Sequence, residues 1–270
     1  MDPRDRLPPR LRHGIDQTVA AQRLEGWRPG AEHIDMLVAL ASGTSTFAEC
    51  LTEHRSRHPP PQRVRRTIRR KRPYLIPGST VLRNNFGTED AEVLAELEFI
   101  ATAGRTVQWH QLLAAGAVAT GALDVRAAHQ HLFADVYPWA GELRITELRR
   151  GDTVFARQAD LASAVSRLEA TARALPARLA DGDTGRLAFE FSHWYADYNQ
   201  VHPFREGNGR TGTLLLHTLA ALCGHRLDLS RITRSQWYGA SRDSTPFRRG
   251  GEANHRPFLP LFVQALSPAE

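Results

Sequence analysis

Residues 202–210 read His-Pro-Phe-Arg-Glu-Gly-Asn-Gly-Arg, and they join two segments of opposite character. The segment before them places Phe191, Trp194, Tyr195 and Tyr198 at amphipathic helical spacing. The segment after them, Leu214 to Leu222, is nearly all apolar and predicts a buried central helix. A glycine-rich bend that opens a buried helix leaves several backbone N–H groups without intrahelical partners. With the helix dipole they form an anion site, best matched by phosphate. Gly207 and Gly209 allow a close backbone approach. Arg210 lies where a cation opposes the dipole, which makes sense if an anion is held there. Glu206 beside a polyphosphate would be repelled unless a cation bridged them, and Mg²⁺ is the usual bridge. His202, four residues earlier, is placed to act as a general base. Singly these residues have ordinary readings as a turn, a structural histidine and a surface ion pair. Together within nine residues they point to chemistry.

The rest of the chain predicts helices around that bend. Apolar periodicity marks Ala91 to Ala101, Val107 to Leu113, Val125 to Phe133, Leu161 to Leu175 and Arg186 to Tyr198. One stretch breaks the period. Leu143 to Leu148 alternates, Arg149-Arg150-Gly151-Asp152 reads as a turn, and Thr153-Val154-Phe155 returns, which predicts a short hairpin with a free edge. Near the N-terminus, Ile15 to Leu24, Met36 to Leu40 and a third run capped at Ser45 or Thr46 suggest three short helices. Fewer than about 60 residues with so few large apolar side chains make a marginal independent fold. That module is therefore expected to lie against the larger domain.

Between the two lies a basic stretch. From His54 to Thr88 there are ten basic residues and no acidic one, and removing them from the formal net charge of +6 leaves −4. With Pro59-Pro60-Pro61 and Pro73 it reads as a solvated linker. A phosphate-backbone-binding strip over residues 55–72 is the sharper alternative, but no aromatic residue interrupts the run to Pro73, so nucleic acid carries low weight. The expected organisation is a helical module at 1–57, a linker at 58–73 and a main domain at 74–270. Apolar residues at 41% and charged residues at 24% allow a sizeable core and rule out wholesale disorder. The two cysteines exclude a disulfide framework. No apolar run reaches the ~18 residues of a membrane span. The chain reads as reduced and cytoplasmic.

The run at 202–210 resembles the signature of the Fic family, HPFx[D/E]GNGR, at every position. His131-Leu132-Phe133-Ala134-Asp135-Val136-Tyr137-Pro138-Trp139-Ala140-Gly141 is similar to the segment leading into that family's flap. The resemblance covers about residues 74–240. It implies an all-α helical bundle with one β-hairpin flap, and a protein adenylyltransferase that moves AMP from ATP to a Ser, Thr or Tyr hydroxyl of a target protein. On that reading His202 deprotonates the hydroxyl and Glu206 holds Mg²⁺. Gly207, Asn208 and Gly209 cradle the phosphates, Arg210 clamps them, and Phe204 anchors the loop. The hairpin residues Arg144, Ile145, Thr146, Glu147, Thr153, Val154 and Phe155 grip the target by strand addition.

The longer family pattern has a second arginine three positions after the first, where this chain has Thr213. The resemblance gives that arginine the outer phosphates of ATP, so Thr213 implies weaker binding, a substitute cation or another donor. Ala21 to Gly26 resembles the inhibitory motif of Fic antitoxins, [S/T]xxxE[G/N], with Glu25 and Gly26 matching and Ala21 in place of the hydroxyl residue. The chain thus resembles a FicT-type toxin joined to its own inhibitor, with bacterial type II topoisomerases as the implied target class. The competing reading, motivated by Thr213, is a silent Fic-like nucleotide- or protein-binding module.

Overall fold

A computed structural model of the chain describes residues 2–59, 72–151, 153–179, 182–246 and 251–269. The fold is predominantly helical. Helices α1 (Pro9–Leu24), α2 (Ala31–Ser42) and α3 (Phe47–Arg57) come first, followed by α4 (Ala91–Ala114) and α5 (Val125–Phe133). A hairpin of β1 (Arg149–Arg150) and β2 (Thr153–Val154) precedes α6 (Leu161–Arg178), α7 (Thr184–Val201) and α8 (Asn208–Leu222). After β3 (His225–Leu227) and α9 (Arg234–Asp243), α10 (Leu259–Ala265) leads into β4 (Leu266–Pro268), which pairs antiparallel with β3.

Short polar side chains set several helix starts. Asp90 accepts from the amides of Glu92 and Val93 to open α4, Asp124 accepts from Ala127 to open α5, and Asp183 accepts from Gly185 and Arg186 to open α7. Thr46 and Glu49 form a reciprocal capping box at α3. The two segments read separately at 91–101 and 107–113 are one helix, because no residue between them breaks the turn. Residues 225–227 and 266–268 gave no alternation long enough to reveal their pairing.

Helix α8 runs through the centre, with Leu214, Leu215, Leu216 and Leu219 all buried. Each contributes about 2 kcal/mol of burial. The N-terminal helices do not pack as a body of their own. Ile15, Val19, Leu37, Leu40 and Cys50 share one core with Ala103 and Val107 of α4, while Ala20, Ala21 and Leu24 of α1 join the main core. Buried polar bonds fix α1 further. The Gln22 amide donates to Thr102 Oγ1 at 3.1 Å, the Gln17 amide donates to Asp228 at 2.8 Å, and the Leu229 amide donates to Gln17 Oε1 at 2.8 Å. The proposed linker at 58–73 and the basic strip at 55–72 fall mainly outside the described residues.

Candidate active site

The site begins where α7 stops. His202 closes α7 in the left-handed region at φ 46°, which swings the chain into the motif loop. Phe204 is fully buried and stacks on His129 at 3.8 Å, so it anchors the loop from below. Asn208 closes the loop from within. Its side-chain oxygen accepts from the Phe204 amide and its side-chain nitrogen donates to the Phe204 carbonyl, both at 2.9 Å. The Asn208 side chain is therefore consumed by the turn, and its carbonyl accepts from the Tyr198 hydroxyl at 2.9 Å. Gly207 caps α8 with no side-chain bond at φ 79°, and a methyl group there would strike the Phe133 ring. Gly207, Asn208 and Gly209 border the opening at this helix start, with the Gly207 amide on the Glu206 carboxylate at 3.1 Å.

His202 borders this opening. Its ring stacks on Phe155 of the hairpin at 3.9 Å, and its Nδ1 is enclosed without a hydrogen-bond partner. Burial, then the nearby charge of Arg150, drives the imidazole down to about 3, against a small opposing effect of the Asn199 carbonyl. The ring is neutral at any physiological pH. A second histidine, not anticipated from sequence, supports the loop. His129 accepts from the Gly141 amide at Nδ1 and donates from Nε2 to the Glu206 carbonyl. Its place among Val125, Ala128 and Leu132 on the buried face of α5 was the available signal.

Two residues expected to face phosphate point elsewhere. The Arg210 guanidinium is 6% exposed and lies between the rings of Phe99 and Phe133. It pairs with Glu98 of α4, which also accepts from the Tyr137 hydroxyl, and it donates to Thr102 Oγ1 at 3.3 Å. It is 3.9 Å from Glu206. Glu98 was missed, although a glutamate one turn from Leu94 and Ala101 on an apolar face signals a buried partner. Thr213 is 2% exposed and donates its hydroxyl to the Arg210 carbonyl at 3.0 Å, so it offers no group to the opening.

The hairpin is shorter than expected. Pairing is confined to Arg149 with Val154 and Arg150 with Thr153, so the two arginines assigned to the turn are strand residues. Arg144 is 1% exposed. Its guanidinium donates to the carbonyls of His202, Thr146, Ala156 and Val201. It therefore ties the hairpin base to the motif loop and cannot touch a target. Phe155 is likewise buried, under His202. Glu147 accepts from the Gln158 amide at 3.2 Å, and Ile145 is 60% exposed.

Glu25 enters from the first helix. Glu25 caps α1, and Gly26 follows at φ 105°, with the Gly26 amide on Arg23 O and the Trp27 amide on Gln22 O. This Schellman closure fixes the direction of the last turn. The Glu25 carboxylate then lies against Gly209, where any side chain would collide with it. Burial raises its pKa, opposed by the charges of Arg210, Arg150 and Arg234. The carboxylate borders two small compartments. One, of roughly 170 Å³, is lined by Arg149, Arg150, Phe155, Arg205, Glu206 and Gly207. The other, of roughly 30 Å³, is lined by Tyr195, Tyr198, Trp237, Tyr238 and Ser241. Both also touch Arg150, His202, Asn208 and Gly209. Neither alone reaches the ~300 Å³ of a small-molecule site. A larger groove of roughly 580 Å³ lies on the outer side of α1 and touches no residue of the motif.

Glu206 donates nothing and accepts from its neighbour Gly207 N at 3.1 Å. Its pKa is raised by burial and by Glu98, against Arg210. Among the described residues no group of three or more His, Cys, Asp or Glu side chains forms a metal cage. With Glu98 committed to Arg210, Glu206, half-exposed at the start of α8, is the carboxylate that would hold a magnesium ion.

Known proteins share both sequence and shape with this chain. The Fic/DOC family signature matches residues 121–220. A Sinorhizobium fredii protein named probable protein adenylyltransferase y4lH is 34% identical over 172 residues, covering 62% of this chain and 85% of that protein. The Salmonella typhimurium probable protein adenylyltransferase Fic is 31% identical over 203 residues, covering 73% of this chain and 93% of that protein. The crystal structure of BepC from Bartonella tribocorum, with bound AMPPNP, superposes with a TM-score of 0.58 at 22% identity, covering 73% of this chain and 97% of that one.

Proposed function

This chain belongs to the Fic/DOC family, and we propose that it is a protein adenylyltransferase whose first helix holds it inactive. One observation carries the reading: the Glu25 carboxylate lies on Gly209, in the bend proposed to receive a nucleotide's phosphates. A carboxylate there repels phosphate and divides the cleft. With Glu25 withdrawn, the aromatic compartment takes the base and the arginine-lined compartment takes the phosphates. Covalent attachment keeps the inhibitory helix at an effective concentration of about a millimolar or more. This arrangement fits an antitoxin and a toxin in one polypeptide. Bacterial type II topoisomerases remain the proposed target class, by family resemblance alone.

The chemistry follows from neutral His202. Its Nδ1 is enclosed, so Nε2 is the nitrogen available to take the proton of a target Ser, Thr or Tyr hydroxyl. The hydroxyl oxygen bonds to the α-phosphorus, the bond to the bridging oxygen breaks, and pyrophosphate leaves with that electron pair. Incoming phosphates supply negative charge near His202 and raise its basicity from the depressed value of the closed form. The amides at the start of α8 orient the oxygens of the reacting group. Glu206 would hold magnesium, whose contribution is to offset charge on the phosphates.

Labelling by ATP tagged at the α-phosphate tests this. Glu25→Ala should label target protein about tenfold or more above the intact chain, and adding His202→Ala should abolish the label. A specific observation favours a second reading: Arg210 is committed to Glu98 and Thr213 faces inward, which leaves the phosphates without a motif arginine. Nucleotide binding by Glu25→Ala without any labelling would support that silent module and overturn the enzyme.

A further inference from the structure

We infer that Arg150, on the hairpin, supplies the positive charge for the outer phosphates of the nucleotide, the work that an arginine at position 213 would otherwise do. The inference rests on the nucleotide-binding reading above and names the residue that completes it.

Two arginines near Glu25 are engaged elsewhere. Arg210 is enclosed by Phe99, Phe133 and Glu98. Arg234 donates to the Leu24 carbonyl at 3.3 Å and stacks over Tyr238 at 4.6 Å, on the outer side of α1. Three remain at the cleft: Arg149, Arg150 and Arg205. Arg149 and Arg205 line only the larger compartment. Arg150 lines both compartments, and so it spans the point where Glu25 divides them. Its guanidinium stands 5.6 Å from the Tyr238 ring centroid, which steadies it at the rim. Its charge is felt on both sides, favouring the ionised form of Glu25 and disfavouring protonation of His202.

The placement gives Arg150 two successive partners. In the closed form it borders the same two compartments as the Glu25 carboxylate and acts on it by charge. When Glu25 leaves, the same guanidinium is left beside an empty anion bend, and a polyphosphate supplies the replacement charge in a geometry that the arginine fork matches. An arginine carried by α8 would be fixed by the helix. Arg150 belongs to a strand pairing of two residues, so grip on the outer phosphates depends on the hairpin being in place.

Calorimetry on the full-length Glu25→Ala protein with magnesium present separates the possibilities, using ATP and AMP as probes. Adding Arg150→Ala should weaken ATP by about 10- to 100-fold and leave AMP, which lacks the outer phosphates, unchanged. Arg150→Lys should recover part of the loss, because it keeps the charge and loses the fork. Arg150 is exposed on a short hairpin, so thermal melting should be unaffected and should report the fold intact. Unchanged ATP affinity in Arg150→Ala, equal weakening of ATP and AMP, or a loss that instead follows Arg205→Ala would each overturn the assignment. Failure of Glu25→Ala itself to bind ATP would overturn the nucleotide reading beneath it.

Discussion

A guanidinium enclosed between Phe99 and Phe133 cannot shed its charge, so its stability depends on Glu98. Removing one member of such a pair strands the other in a medium that solvates it poorly. Glu98→Ala should therefore lower the unfolding free energy by about 3–5 kcal/mol, read from urea melts. Arg210→Met in the same background should recover much of that loss, because no orphan charge then remains. A loss below about 1 kcal/mol would mean that the pair behaves as an exposed one. The pair was not legible in the sequence. The types and spacing of His202, Glu206, Gly207 and Gly209 were the basis for expecting an anion bend with a base beside it. Nothing local to Arg210 showed that a residue 112 positions earlier would claim its guanidinium. The commitment is made by packing of α4 against α8, which periodicity does not encode.

Helices were legible to the extent that their burial is one-sided or complete. α8 was plain because Leu214 to Leu222 is nearly all apolar, and α3 because Ser45 or Thr46 offered a cap, of which the structure uses Thr46. The hairpin was legible as a location and not as a register. Alternation over residues 143–148 suggested a strand with a free edge. The structure instead uses Arg144 as a staple for four carbonyls, which pulls this stretch off any strand path. Arginine in a turn-like sequence gives no sign of that role, and the same ambiguity hid Arg150. The proposed inhibitory element was suggested by two residues only. Glu25 and Gly26 are adjacent because the glycine closes α1 and so sets where the carboxylate lands.

The molecule as a whole buries histidines that stay neutral. His110 and His129 are held down to about 3 and His217 well below its ordinary value, in each case by burial. Above the ordinary imidazole value both folded and unfolded chains carry neutral rings, and these groups make no pH-dependent difference. As pH falls through that value, the unfolded chain takes protons that the folded chain refuses until about pH 3. Stability should therefore decline on acidification, by about 1 kcal/mol for each ring at about pH 5.5. The raised carboxyls of Glu25 and Glu206 act in the opposite sense and offset part of the loss at lower pH. Melting temperatures from pH 7.5 to about 5 check the slope, and a flat or rising profile would contradict it.

The N-terminal helices share their core with α4, so excision of residues 1–57 exposes apolar surface as well as removing Glu25. A single substitution is the cleaner way to open the cleft. The most direct measurement is a crystal structure of Glu25→Ala with ATP and magnesium. Phosphate oxygens should lie on the amides that open α8, the α-phosphorus within reach of His202, and the base against Tyr195 and Tyr238. A triphosphate seated anywhere else, or a cleft that stays closed without the carboxylate, would contradict this arrangement.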